Sequence, residues 1–126
     1  MDLTLTAELL DSVARDWANR IYGSGRDPLT NKNQIRNFYD KLLVYYNEVF
    51  LDDKDFEDVK PFIKMLKSKV AYAKGRKVVK GDFEKFMNEG IDAINSKEDL
   101  KNFKLLFEAV IGYFTGLEFD RKENRR

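Results

Sequence analysis

The chain has no histidine and no cysteine. Those two absences exclude nucleophile–imidazole triads, thiol chemistry, Cys/His zinc sites and histidine acid–base work near neutral pH. They also exclude a disulfide framework, and nothing suggests export. No apolar run approaches the ~20 residues of a membrane span, and no basic-then-apolar secretory signal opens the chain, so the cytoplasm is the default location. Strand alternation is missing too, Val78-Val79 being the only β-like pair. There is no internal repeat and no low-complexity tract. For chemistry, only carboxylate, lysine or tyrosine groups, or a carboxylate-bound magnesium, remain.

What is present favours a packed helical interior. Hydrophobic residues make up 43% of 126, with ten Phe and six Tyr, enough for one core but not for two. Leu9, Leu10, Val13, Trp17 and Ile21 recur at three- and four-residue steps and predict an apolar face on a first helix. Gly23-Ser-Gly25 and Pro28 then break the pattern. A second helix is expected from an N-cap at Thr30 to about Phe50, with Ile35, Phe38, Tyr39, Leu42, Leu43, Tyr46, Val49 and Phe50 facing inward. Pro61 predicts that the third helix starts near it or follows a one-turn segment; Gly75 is the expected C′ residue. Asp82 is placed to cap a fourth helix, and Ser96-Lys-Glu-Asp99 approximates a capping box for a fifth. The result is an all-α compact bundle of about five helices. Residues 1–117 read as one helical domain and 118–126 as a charged, frayed tail.

Charge is segregated along the chain. The formal net charge is +1, yet Lys60 to Lys80 holds eight basic residues and no acidic one, while Asp52, Asp53, Asp55, Glu57 and Asp58 crowd just upstream. At about 100° per residue, Lys60, Lys64, Lys67 and Lys74 share one stripe of the third helix, with Phe62, Leu66, Val70 and Ala73 opposite. Lysines on a wet helical face are ordinarily interleaved with Glu; here they are not, and like charges at i,i+4 cost a few tenths of a kcal/mol. That pattern suits an anionic partner whose phosphates the helix tracks. Lys32, Arg36 and Arg26 lie at or before the start of the second helix, where they oppose its dipole. An anion bound there explains them, and so, equally well, does ordinary solvated charge. Tyr72 and Tyr113 are able to stack on bases, although core packing is the commoner fate of aromatics here.

Two other motifs fail on spacing. Counted from Asp53, a calcium loop needs Gly sixth and Glu twelfth, and the chain supplies Asp58 and Lys64. Gly23-Ser-Gly25 follows a helix instead of a strand and lacks the Gly-Lys-Ser/Thr end of a phosphate loop. No metal and no cofactor is implied.

Three stretches together resemble one family. They are Leu29-Thr30-Asn-Lys-Asn-Gln34-Ile35-Arg36-Asn-Phe38-Tyr39, then Met65-Leu66-Lys67-Ser-Lys69-Val70-Ala71-Tyr72-Ala73-Lys-Gly75-Arg76, then Leu106-Phe107-Glu108-Ala109-Val110-Ile111-Gly112-Tyr113-Phe114. Their order and spacing, from the first helix to residue 117, are similar to the small subunit of type III-A CRISPR effector (Csm) complexes. The resemblance implies an all-α subunit without nuclease activity, stacked as an inner filament beside the crRNA-bearing backbone subunits. It further implies that the chain holds target RNA against the guide through phosphates, while cleavage belongs to the backbone and large subunits. Carried onto this chain, the RNA-contact candidates are Lys32, Arg36, Lys67, Lys69, Arg76 and Lys77.

A second reading stays open: a helical protein-interaction adaptor in which the acidic loop 52–58 of one copy meets the basic helix of the next, head to tail. A third is a magnesium-dependent enzyme built on the carboxylates of 52–58.

Overall fold

The structure, a computed structural model, describes residues 1–23 and 30–124. Among them no strand occurs, and five α-helices account for most of the chain: α1 (Ala14–Tyr22), α2 (Lys32–Phe50), α3 (Phe56–Gly75), α4 (Gly81–Ala93) and α5 (Lys97–Asn124). The all-α bundle expected from the sequence is what forms. The break expected at Gly25 and Pro28, and Arg26 with it, lies outside the described residues.

Four phenylalanines from two helices make the centre. Phe83 and Phe86 of α4 and Phe103 and Phe107 of α5 are fully buried, and Phe86 lies 5.3 Å from the rings of both Phe103 and Phe107. Each such ring removed from water contributes about 1.5–3 kcal/mol. Trp17 of α1 closes edge-on to Phe86 at 5.3 Å. Gly90 lets α4 come this close: a Cβ there falls 2.1 Å from Phe103 Cε1. Around this centre α5 runs along α1 and α2, and α3 packs on α4 and α2.

The first helix departs from its expected stripe. Leu9 is buried, but the next buried position is Ala14, five residues on, and Val13 is exposed. A π-helical turn over Leu9–Val13 explains the jump, because its wider turn carries one residue more than an α-turn. Beyond it Trp17, Ala18 and Ile21 resume the ordinary spacing.

Helix ends differ from expectation in four places. Asn31, not Thr30, caps α2, its side chain accepting the Asn33 N–H at 2.7 Å. The buried Thr30 hydroxyl accepts the Lys80 N–H at 2.8 Å, tying the start of α2 to the start of α4. Next, α3 begins at Phe56 and runs through Pro61; Asp55 caps it, and buried Phe56 and Val59 hold the turns before the proline. Its C-terminus is a Schellman turn shifted two residues past Gly75. Lys77 N–H reaches Lys74 O (2.9 Å), Val78 N–H reaches Ala73 O (3.1 Å), and Lys77 itself takes the left-handed conformation at φ 65°. Finally, α4 starts at Gly81 with no side-chain cap, so Asp82 does not serve as one.

The fifth helix has the Ser96 half of the expected box, with the return bond from Asp99 shifted to the residue before the cap. Ser96 Oγ accepts the Asp99 N–H at 3.1 Å, and the Asp99 carboxylate accepts the Asn95 N–H at 3.0 Å. It continues past residue 117 to Asn124, so the charged segment 118–124 is helical.

Candidate nucleic-acid interface

The basic segment lies on α3 and the Schellman turn after it, and the fold divides it into two flanks. Val59, Ile63, Leu66, Val70 and Ala73 are buried and define the inner face. Phe62, expected among them, is 54% exposed: at about 100° per residue it sits at the edge of that stripe, beyond Leu66 and Ala73.

One flank leans on α4. Lys67 Nζ donates to Asp92 Oδ1 at 2.6 Å, and Lys64 Nζ lies 3.9 Å from the same carboxylate. Lys64 also donates to Ile91 O at 3.0 Å, a carbonyl of the last turn of α4, where a cation opposes the helix dipole favourably. Lys74 pairs with Glu84 at 3.1 Å. The hydrogen bond from Lys67 holds the Asp92 carboxyl below the usual carboxylate range, against the opposing effect of burial and with help from the charges of Lys67 and Lys64. Three of the four lysines of the sequence's basic stripe are therefore already answered by acids from α4.

The other flank faces α2 and, from Met65 to Arg76, carries no acid. Met65, Ser68, Lys69, Tyr72 and Arg76 of α3 and its C-cap line a groove of ≈ 700 Å³, completed by Gln34, Asn37, Phe38 and Lys41 of α2. Among the described residues neither Lys41 nor Lys69 has an ion-pair partner. Arg76 places its guanidinium 5.8 Å from the Tyr72 ring centroid, and Tyr72 is 68% exposed. Tyr45 and Phe62 stack at 6.4 Å farther along the same pair of helices, while at the opposite end the Thr30–Lys80 bond ties the start of α2 to the turn that follows α3.

The candidates read from the sequence are thus not gathered in one place. Lys69 and Arg76 share the groove. Lys67 is on the α4 flank. Lys77 is exposed on the turn after α3. Lys32 and Arg36 occupy the side of α2 that carries Tyr39, away from Gln34, Asn37 and Lys41. On that side Tyr39 donates to the Glu108 carboxylate of α5, which Lys104 also meets at 2.8 Å. Burial, then the bond to Glu108 and its charge, push the Tyr39 phenol well above its ordinary value. Burial also pushes the Glu108 carboxyl up, but the bonds from Lys104 and Tyr39 outweigh it and hold the group low.

Sequence reasoning missed Lys41, Gln34 and Asn37, and set Tyr72 aside. A signal existed: Gln34, Asn37 and Lys41 repeat at i, i+3, i+7, and Met65, Lys69, Tyr72 and Arg76 at i, i+4, i+7, i+11. Each is a helical stripe flanking a core stripe, with no acid in it.

This is a compact helical bundle whose surface chemistry lies in charge and stacking. The family model for Csm2 Type III-A matches residues 4–116. The chain belongs to that family, the small subunit of type III-A CRISPR Csm complexes, and is a structural subunit of such an effector complex. No curated protein and no solved structure matches it. Among the described residues no helix is long and apolar enough to cross a membrane, and no group of three or more carboxylates is placed to hold a metal.

Proposed function

We propose that this subunit binds the target RNA and crRNA of its complex through their phosphates, without reading sequence, and that copies stack as an inner filament in the cytoplasm. It does so without chemistry of its own. One observation carries the reading: the α2-facing flank presents Lys41, Lys69 and Arg76 with no acid among them, whereas the α4-facing lysines are neutralised. A cationic surface without acids has a strong claim on a polyanion. Lys77, Lys32 and Arg36 extend the positive surface, and Lys67 contributes once its carboxylate partner is displaced.

The experiment is RNA binding by the assembled complex across a salt series, wild type against Lys69→Glu/Arg76→Glu, with circular dichroism as the folding control. Affinity should fall alike for all sequences, and the salt slope should flatten by about 0.7 for each phosphate no longer engaged. A folded double variant with an unchanged slope defeats the reading. The adaptor reading then takes its place, favoured by the exposed acids of 52–58, which form no ion pair among the described residues.

A further inference from the structure

We infer that the α2–α3 groove takes an unpaired nucleobase, stacked on Tyr72, with its flanking phosphates held by Lys41, Lys69 and Arg76. The inference rests on the RNA-binding reading and assigns that groove to single-stranded rather than duplex RNA. Phosphate tracking alone requires cations, and it gives no reason for an aromatic ring 68% exposed in the midst of them, or for Met65 at 54% beside it. Those two side chains leave apolar surface in water that a flat, weakly hydrated partner removes. A nucleobase is such a partner. The groove, at ≈ 700 Å³, lies within the ordinary range for small-molecule sites and has room for a nucleotide.

Its polar lining matches the other half of a nucleotide. Gln34 and Asn37 each carry an amide that both donates and accepts, and Ser68 a hydroxyl that does the same, so any base edge finds partners. That permits binding without a preferred sequence. The Arg76 guanidinium beside the Tyr72 ring sets a cation next to a π face, the pairing that single-strand sites use for phosphate and base together. An acidic peptide would satisfy the cations but make no use of the stacking face.

The test uses the full chain and a short oligouridine, free or annealed to its complement, with wild type, Tyr72→Ala, Tyr72→Phe and Lys69→Glu/Arg76→Glu. Loss of one stacked base is expected to weaken single-strand binding about tenfold in Tyr72→Ala. Duplex binding should stay within about twofold, since a paired base offers no free face, and Tyr72→Phe should bind as wild type does. A 5-iodouridine in the strand should photocrosslink to Tyr72. Equal losses on single strand and duplex overturn the inference, as does preference for an acidic peptide over the RNA. If Tyr72→Ala changes nothing while the charge-reversal variant weakens both RNAs, the base site fails and the phosphate reading stands. If neither variant weakens either RNA, the groove is not the RNA surface, and both the base site and the phosphate reading of this flank fail.

Discussion

The two flanks of α3 come from one run of basic sequence and end in opposite electrostatic states. Toward α4, Lys64, Lys67 and Lys74 meet Asp92 and Glu84. Toward α2, Lys69 and Arg76 stand with Lys41 in a groove without a carboxylate. Charge density along a chain therefore does not measure charge available to a ligand. Availability depends on which helix packs on which flank, and that is decided by apolar stripes that carry no charge.

Gly90 has the largest hold on the neutralised flank. A methyl group there overlaps Phe103, and neither α4 nor the ring has slack in a core so fully buried. Gly90→Ala is expected to destabilise by about 3 kcal/mol, at the upper end of overpacking costs, as read from urea denaturation midpoints. Loosening α4 also withdraws Asp92 and Glu84 from α3, so the lysine flank loses its partners.

Lys77 tests the turn that ends the basic segment. Its left-handed conformation costs a non-glycine residue about 1 kcal/mol. Lys77→Gly should recover most of that in thermal or chemical denaturation while removing one positive charge. Higher stability with weaker RNA binding identifies a residue kept for its charge.

Freeing the neutralised flank sharpens the contrast. Asp92→Asn with Glu84→Gln leaves Lys64, Lys67 and Lys74 without acidic partners, and RNA affinity is expected to rise about threefold with a steeper salt dependence. Unchanged affinity would mean that this flank never reaches the RNA.

The smallest effect is in acid. The Asp92 carboxyl is held low by Lys67, so the stability it contributes is full above the ordinary carboxylate pKa of about 4 and is lost as pH falls through its lower folded value. Glu108 behaves likewise on the α5 side. Asp92→Asn should therefore lower neutral stability slightly and shallow the acid limb of a stability–pH curve below about pH 4 by the same small amount, because the pair is exposed to solvent.

The helical class and the order of the helices were legible because apolar residues recur at helical spacing through nearly every segment. The inner stripe of α2 and the Ser96 cap of α5 sit where periodicity and capping chemistry put them. Errors arose where a long-range contact overrode a local rule. Thr30 is a good N-cap by type, but its hydroxyl is used by Lys80, fifty residues away. Val13 fits an α-helical stripe and is displaced by one π turn. The groove was hidden for another reason. Lys69 and Arg76 stood out by charge, but their separation from Lys67 depends on Asp92 and Glu84, which come from a different helix and whose arrival no periodicity in α3 announces.

The Thr30–Lys80 hydrogen bond joins positions far apart in sequence at one end of the groove. It makes the separation of the start of α2 from the turn that links α3 to α4 an observable. The Lys80 amide exchanges with deuterium only when this clasp opens, so its protection factor reports how often the start of α2 parts from the α3–α4 turn. Anything seated between them is thermodynamically linked to that opening. A ligand that prefers the closed groove slows exchange at Lys80 in proportion to its preference, and one that must wedge the helices apart accelerates it. One backbone proton thus records whether the groove receives its ligand as built or by yielding.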